Sequence, residues 1–137
     1  MQKLLLTARE LELRVTFTEL GGGLQGCFLP ARQQIVIAAG MDLARQRETL
    51  AHELGHARYG HGCSNPRNEH RAWQHALSLL FGDGAAYAEL EQLGFDKFQI
   101  AEELDVTVRC VELWREKLHR EGASAYGERR TVFDWGV

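Results

Sequence analysis

Residues 52–56 read His52-Glu53-Leu54-Gly55-His56, and this pattern makes chemical sense only on a helix. At 100° per residue the two histidines stand about 40° apart around the axis and about 6 Å apart along it, so both imidazoles can reach one tetrahedral cation. Glu53, about 100° from His52, can approach a water at that cation without ligating it, take a proton and return it to a leaving amine. Such a helix must bury one side and open the other to a cleft. Measured from His52, residues Leu50, Ala51, Leu54 and Ala57 fall in an arc about 140° to 260° away, while Glu48, Gly55, His56 and Tyr59 cluster within about 60°. The back is apolar and the front polar. A shuffled chain of this composition would carry such a match about 0.03 times, which weighs against two chance histidines on an exposed helix face.

The rest of the composition narrows the classes. A chain of 137 residues, 45% hydrophobic and 26% charged, has room for one core and one site without a staple of disulfides. Its net charge of −3 argues against coating nucleic acid or a membrane by bulk electrostatics. Cys27, Cys63 and Cys110 form no CxxC pair, which fits reduced thiols and a cytoplasmic setting. Leu4 to Leu6 fall far short of a signal segment, and no run approaches the roughly 20 apolar residues of a membrane span.

Periodicity predicts the order of elements. Leu4, Leu5, Ala8 and Leu11 give a short amphipathic helix. Leu13, Val15 and Phe17 then alternate with polar residues as in a half-buried strand, and Gly21 to Gly23 break the chain. Residues 24–29 and 33–38 read as two further strands of a small antiparallel hairpin or meander. Asp42 is placed to cap the helix that carries the motif, which runs through Arg58 to Gly60. Asn65 or Asn68 can cap a second long helix over about 67–81, with Ala72, Trp73, Ala76, Leu77 and Leu80 on one stripe. Shorter helices follow over 85–93 and 97–104, then one over 108–120. From Gly122 the chain reads as a loose tail whose aromatic end, Val132, Phe133 and Trp135, can dock on the body.

A tetrahedral site needs a third protein ligand. His61 falls five residues after His56, about 140° around the axis and past a glycine break, so its geometry is poor. Glu69 is better placed, because a loop with glycine and proline can reverse the chain and lay its helix beside the first. Small residues Ala72 and Ala76 on that face would let the two helices pack closely. His70 and His75 remain alternative ligands or oxyanion-stabilising donors, and Cys63 could ligate as a thiolate, although surface or packing roles are the commoner ones for such residues.

The stretch LAHELGHARYGH, followed by Glu69-His70-Arg71-Ala72, His75-Ala76 and Leu79-Leu80, resembles the ImmA/IrrE metallo-endopeptidases. The second motif of that family reads E-x-x-A, a hydrophobic-Ala pair and a Leu-Leu pair, and the similarity covers roughly residues 5–120. The resemblance implies zinc bound by His52, His56 and Glu69, with Glu53 as general base. It also implies a protein substrate, typically a helix-turn-helix repressor of a phage, another mobile element or a stress response. His75 stands where the family usually has Phe, and Leu79-Leu80 runs into Phe81-Gly82 instead of Pro. These departures bear on the shape of the cleft more than on the ligands.

Residues 97–116 have the outline of a helix-turn-helix, with Ala101 in the first helix, a tight turn at Asp105, and Val111 and Trp114 on the buried side of the second. Residues 95–137 hold seven Lys and Arg against nine Asp and Glu, so the face is not basic and direct DNA binding is disfavoured. The expected architecture is therefore α+β. A small antiparallel sheet packs on the HExxH and Glu-bearing helices in a zincin-like core (1–94), a helix-turn-helix-like module packs on that core (95–121), and a tail follows (122–137). The expected function is a zinc-dependent endopeptidase acting on a repressor, with strand 33–38 as an edge able to hold the substrate chain. Manganese also suits such a ligand set. The competing reading is a DNA- or repressor-binding regulator with a structural or vestigial metal site.

Overall fold

The computed structural model describes residues 1–60 and 66–129, with side chains through residue 122. His61, Cys63, Asn65 and the aromatic residues near the C-terminus lie outside the described residues. The elements run α1 (Gln2–Glu10), β1 (Arg14–Thr18), β2 (Gly26–Leu29), a 3-10 turn (Pro30–Arg32), β3 (Gln34–Ala38), α2 (Leu43–Arg58), α3 (Pro66–Phe81), α4 (Ala85–Gln92), α5 (Lys97–Leu104) and α6 (Val108–Arg129). This mixed α+β order follows the periodicity closely. The departure at the end is that α6 continues to Arg129, past Gly122 where the pattern predicts a tail.

The sheet differs from the expectation. Its order is β1-β3-β2, with β1 parallel to β3 and only β2 antiparallel to it. Strand β3 is therefore central, and the segment 33–38 is not an edge able to take up a further strand. The reason lies in its side chains. Ile35, Val36 and Ile37 are apolar in succession and all buried, so both faces of β3 are covered. Strand β1 exposes Arg14, Thr16, Phe17 and Thr18, and β2 is half-buried along its length, so these two take the edges.

Helix α2 lies against this sheet. The Asp42 carboxylate accepts a hydrogen bond from the Arg45 backbone N–H at 2.8 Å, capping the helix. Leu50, Ala51 and Leu54 are fully buried, and they form one apolar cluster with Leu4, Ala8, Ile35, Ile37 and Ala76. A second cluster joins Leu77 and Phe81 of α3 to Tyr87, Ile100, Val111 and Trp114. Trp73 and Leu80 of α3 pack against both clusters. Asp105, in the left-handed region at φ 53°, makes the turn between α5 and α6.

Candidate metal centre

Helices α2 and α3 approach closely because the residues between them are small. A Cβ on Gly55 would stand 2.4 Å from the carbonyl oxygen of Ala72, so the backbones are in direct contact there. Glu69 lies about one turn before Ala72, and the close approach carries its carboxylate over the two histidines. The Nε2 atoms of His52 and His56 lie 3.0 and 3.1 Å from the same oxygen, Oε2 of Glu69. All three donor atoms fall within 4.8 Å of one another. Ligands at about 2.0–2.1 Å from a tetrahedral zinc are about 3.3–3.4 Å apart, so two imidazoles and one carboxylate in this arrangement can hold a divalent cation.

Burial lowers the basicity of His52, while the hydrogen bond to Glu69 and its charge partly oppose that effect. The neutral imidazole thus favoured is the form that binds a metal. Trp73 stacks on the His52 ring with centroids 4.7 Å apart, fixing its orientation. Glu53 sits beside this group without joining it, its carboxylate 3.9 Å from Nδ1 of His52 and only 12% exposed. Burial, and next the charge of Glu69, push its carboxyl up to about 7.

The cleft in front is about 390 Å³ and is bounded by three parts of the chain. Gly23 to Gly26 lead into β2 on one side, α2 and α3 supply His52, Glu53, Glu69 and Trp73, and Arg109 enters from α6. Gly26 permits the narrow gap between β2 and α2, since a Cβ there would meet Cγ2 of Thr49 at 2.6 Å.

The other sequence candidates stand apart. His70 is exposed, and His75 faces the Tyr59 ring at 6.1 Å, its basicity lowered by burial and then by Arg58. Neither joins the cluster formed by His52, His56 and Glu69. Tyr59 itself has the guanidinium carbons of Arg58 and Arg71 each 5.7 Å from its ring centroid. Cys110 is fully buried, its thiol pushed up to about 12 chiefly by that burial, so it is not a nucleophile.

The polar front of α2 is also more covered than its pattern suggests. Glu48 is buried and accepts hydrogen bonds from the Thr107 hydroxyl at 2.6 Å and the Cys110 thiol at 3.4 Å. Sequence reasoning did not assign Trp73 or Arg109 to the site. Trp73 carried a usable signal, since it stands four residues after Glu69 and so on the same helix face. Arg109 carried none, because its neighbour Trp73 is distant in sequence.

Two histidines from one helix and a carboxylate from the next, beside a small sheet, are the donor set of a metallopeptidase-type centre. Residues 8–113 match the Peptidase M78 family, the IrrE N-terminal-like domain, and the chain belongs to that family. Membership implies a metal cofactor and a protein substrate. No curated protein matches the chain significantly. No helix among the described residues is long and apolar enough to cross a membrane.

Proposed function

We propose that this chain is a zinc-dependent endopeptidase in which His52, His56 and Glu69 hold the metal and Glu53 is the general base. The observation that carries this reading is the convergence of both histidine Nε2 atoms on one Glu69 oxygen from two separate helices. A bound zinc supplies Lewis acidity, polarising the scissile carbonyl and easing the loss of a proton from water. Glu53 takes that proton on its carboxylate and hands it to the departing amine nitrogen. Its shielded position limits competing exchange with bulk solvent. Trp73 keeps the His52 ring from turning, and manganese suits the same donors.

The substrate is a protein, and a helix-turn-helix repressor is the class that the family resemblance favours. Strand β2 is a sheet edge beside the cleft, and this edge, not the central segment 33–38, would pair with an extended substrate segment. Over residues 95–137 acidic side chains outnumber basic ones, which speaks against DNA as the main partner. Arg115 donates to the Tyr87 hydroxyl and Lys117 pairs with Glu121, so neither is a free cation on α6.

Metal analysis together with cleavage tests this reading. Wild type should hold about one zinc per chain, His52→Ala and Glu69→Ala should lose it, and Glu53→Gln should keep it while cutting about 10²–10⁴ times more slowly. The substrate assay is co-expression with candidate helix-turn-helix repressors, beginning with any encoded beside the gene. Unchanged zinc in all variants, or equal cleavage by wild type and Glu53→Gln, would overturn the proposal.

A further inference from the structure

Arg109 stands where two cavities meet. The cleft at the metal centre, about 390 Å³, and a second cavity of about 500 Å³, between the start of α2 and the α5–α6 turn, share Gln25, Glu48 and Arg109 as lining residues. The two cavities thus adjoin at this arginine, with His52 on the metal-centre side. The guanidinium carbon lies 4.8 Å from the ring centroid of Trp73, and Trp73 in turn stacks on His52. At about 3.3 Å per residue, an extended peptide covers those two ring contacts in about three residues.

On its metal-centre side the charged residues that Arg109 faces are all acidic. Among the described residues lining the metal-centre cleft, Glu48, Glu53 and Glu69 are acidic, and Arg109 is the only lysine or arginine. No described carboxylate lies within ion-pair distance of it, although Arg115, Lys97 and Lys117 elsewhere in the same helical region all have one. An arginine lying over an aromatic ring keeps its N–H groups available to form two parallel hydrogen bonds to a carboxylate. Arg109 is thus the one described cationic side chain of the metal-centre cleft that can receive an acidic side chain of a bound peptide.

We infer that Arg109 is a specificity-determining residue that receives an Asp or Glu side chain of the substrate within about three residues of the scissile bond. The inference rests on the proposed peptidase site for its substrate class, so its test uses binding and not turnover.

Full-length zinc-loaded Glu53→Gln is applied to an array of immobilised peptides in which each position is varied between Asp, Glu, Asn, Gln and Lys. One position should favour Asp or Glu over the amides by about tenfold. In Glu53→Gln/Arg109→Gln that preference should vanish, in Glu53→Gln/Arg109→Lys it should weaken but persist, and in Glu53→Gln/Arg109→Glu it should turn toward Lys. Arg109 is exposed, and thermal melts of the three double variants should match that of Glu53→Gln. No binding, no acidic preference, or a preference that survives Arg109→Gln would overturn the inference. A preference that follows Arg109 in a protein whose wild type cuts nothing would refute the catalytic reading alone.

Discussion

A methyl group on Gly55 would sit 2.4 Å from the Ala72 carbonyl oxygen and 2.8 Å from its Cα, and neither atom can rotate away as a flexible side chain would. Gly55→Ala must therefore push α3 off α2, and Glu69 moves with α3. The expected result is a stability loss of about 1–3 kcal/mol, typical of overpacking, and zinc affinity at least about tenfold weaker, because the Glu69 carboxylate is carried away from the two imidazoles. Denaturant melts of the metal-free protein and competition with a chelator check the two parts separately. Affinity equal to wild type would show that the helices can part without moving the carboxylate. The spacing of His52, Glu53 and His56 was legible because a helix's period relates them within one element. The need for glycine at position 55 was not, because it arises from a backbone on another element. Arg109 and Glu48 escaped for the same reason, their partners being Trp73, Thr107 and Cys110.

At the scale of elements, the helices were readable and the sheet was only partly so. Asp42 and the apolar back of α2 fix that helix locally, and the Asp96–Gln99 capping box fixes the start of α5. Strand order is not local. Three short strands in succession suggest a meander, yet the unbroken run Ile35-Val36-Ile37, buried on both faces, marks β3 as the middle strand. Its neighbour β2 reaches α2 through Gly26, whose added Cβ would meet Thr49 at 2.6 Å and the Val36 carbonyl at 3.0 Å. Gly26→Val should thus displace the sheet edge that borders the cleft while leaving α2 and α3 in contact. Zinc content should stay near one per chain and cleavage of the protein substrate should fall by about tenfold or more, through KM if β2 pairs with the substrate. Loss of zinc in this variant would mean that the sheet, and not the α2–α3 pair, sets the ligand positions.

The whole molecule is organised around α3, which contributes to both apolar clusters. Polar ties reinforce the connection close to the His52, His56 and Glu69 cluster. Arg47 donates to the carbonyls of Leu104 and Asp105 at 2.8 and 2.6 Å, meeting the unpaired end of α5. Glu48, one turn before His52, takes the Thr107 hydroxyl and the Cys110 thiol. The C-terminal helices are thus fastened to the turn of α2 that leads into the histidines, and Arg109 extends them into the cleft. A chain cut at residue 94 would bare Leu77 and Phe81, which are 1% and 8% exposed in the full structure, and would leave Arg47 and Glu48 without these partners. Each large apolar side chain bared in this way forgoes about 1.5–3 kcal/mol of burial, a large share of the 5–15 kcal/mol that holds a typical domain together. Residues 1–94 alone should therefore fail to give a cooperative melt, and the full chain should unfold in one transition. Near-ultraviolet circular dichroism, which follows the stacked Phe81 and Trp114 rings, should lose its signal at the same denaturant concentration as zinc binding is lost. Two separated transitions, or a stably folded 1–94 fragment that binds zinc, would show instead that the C-terminal helices are an independent module and that the metal centre stands without them.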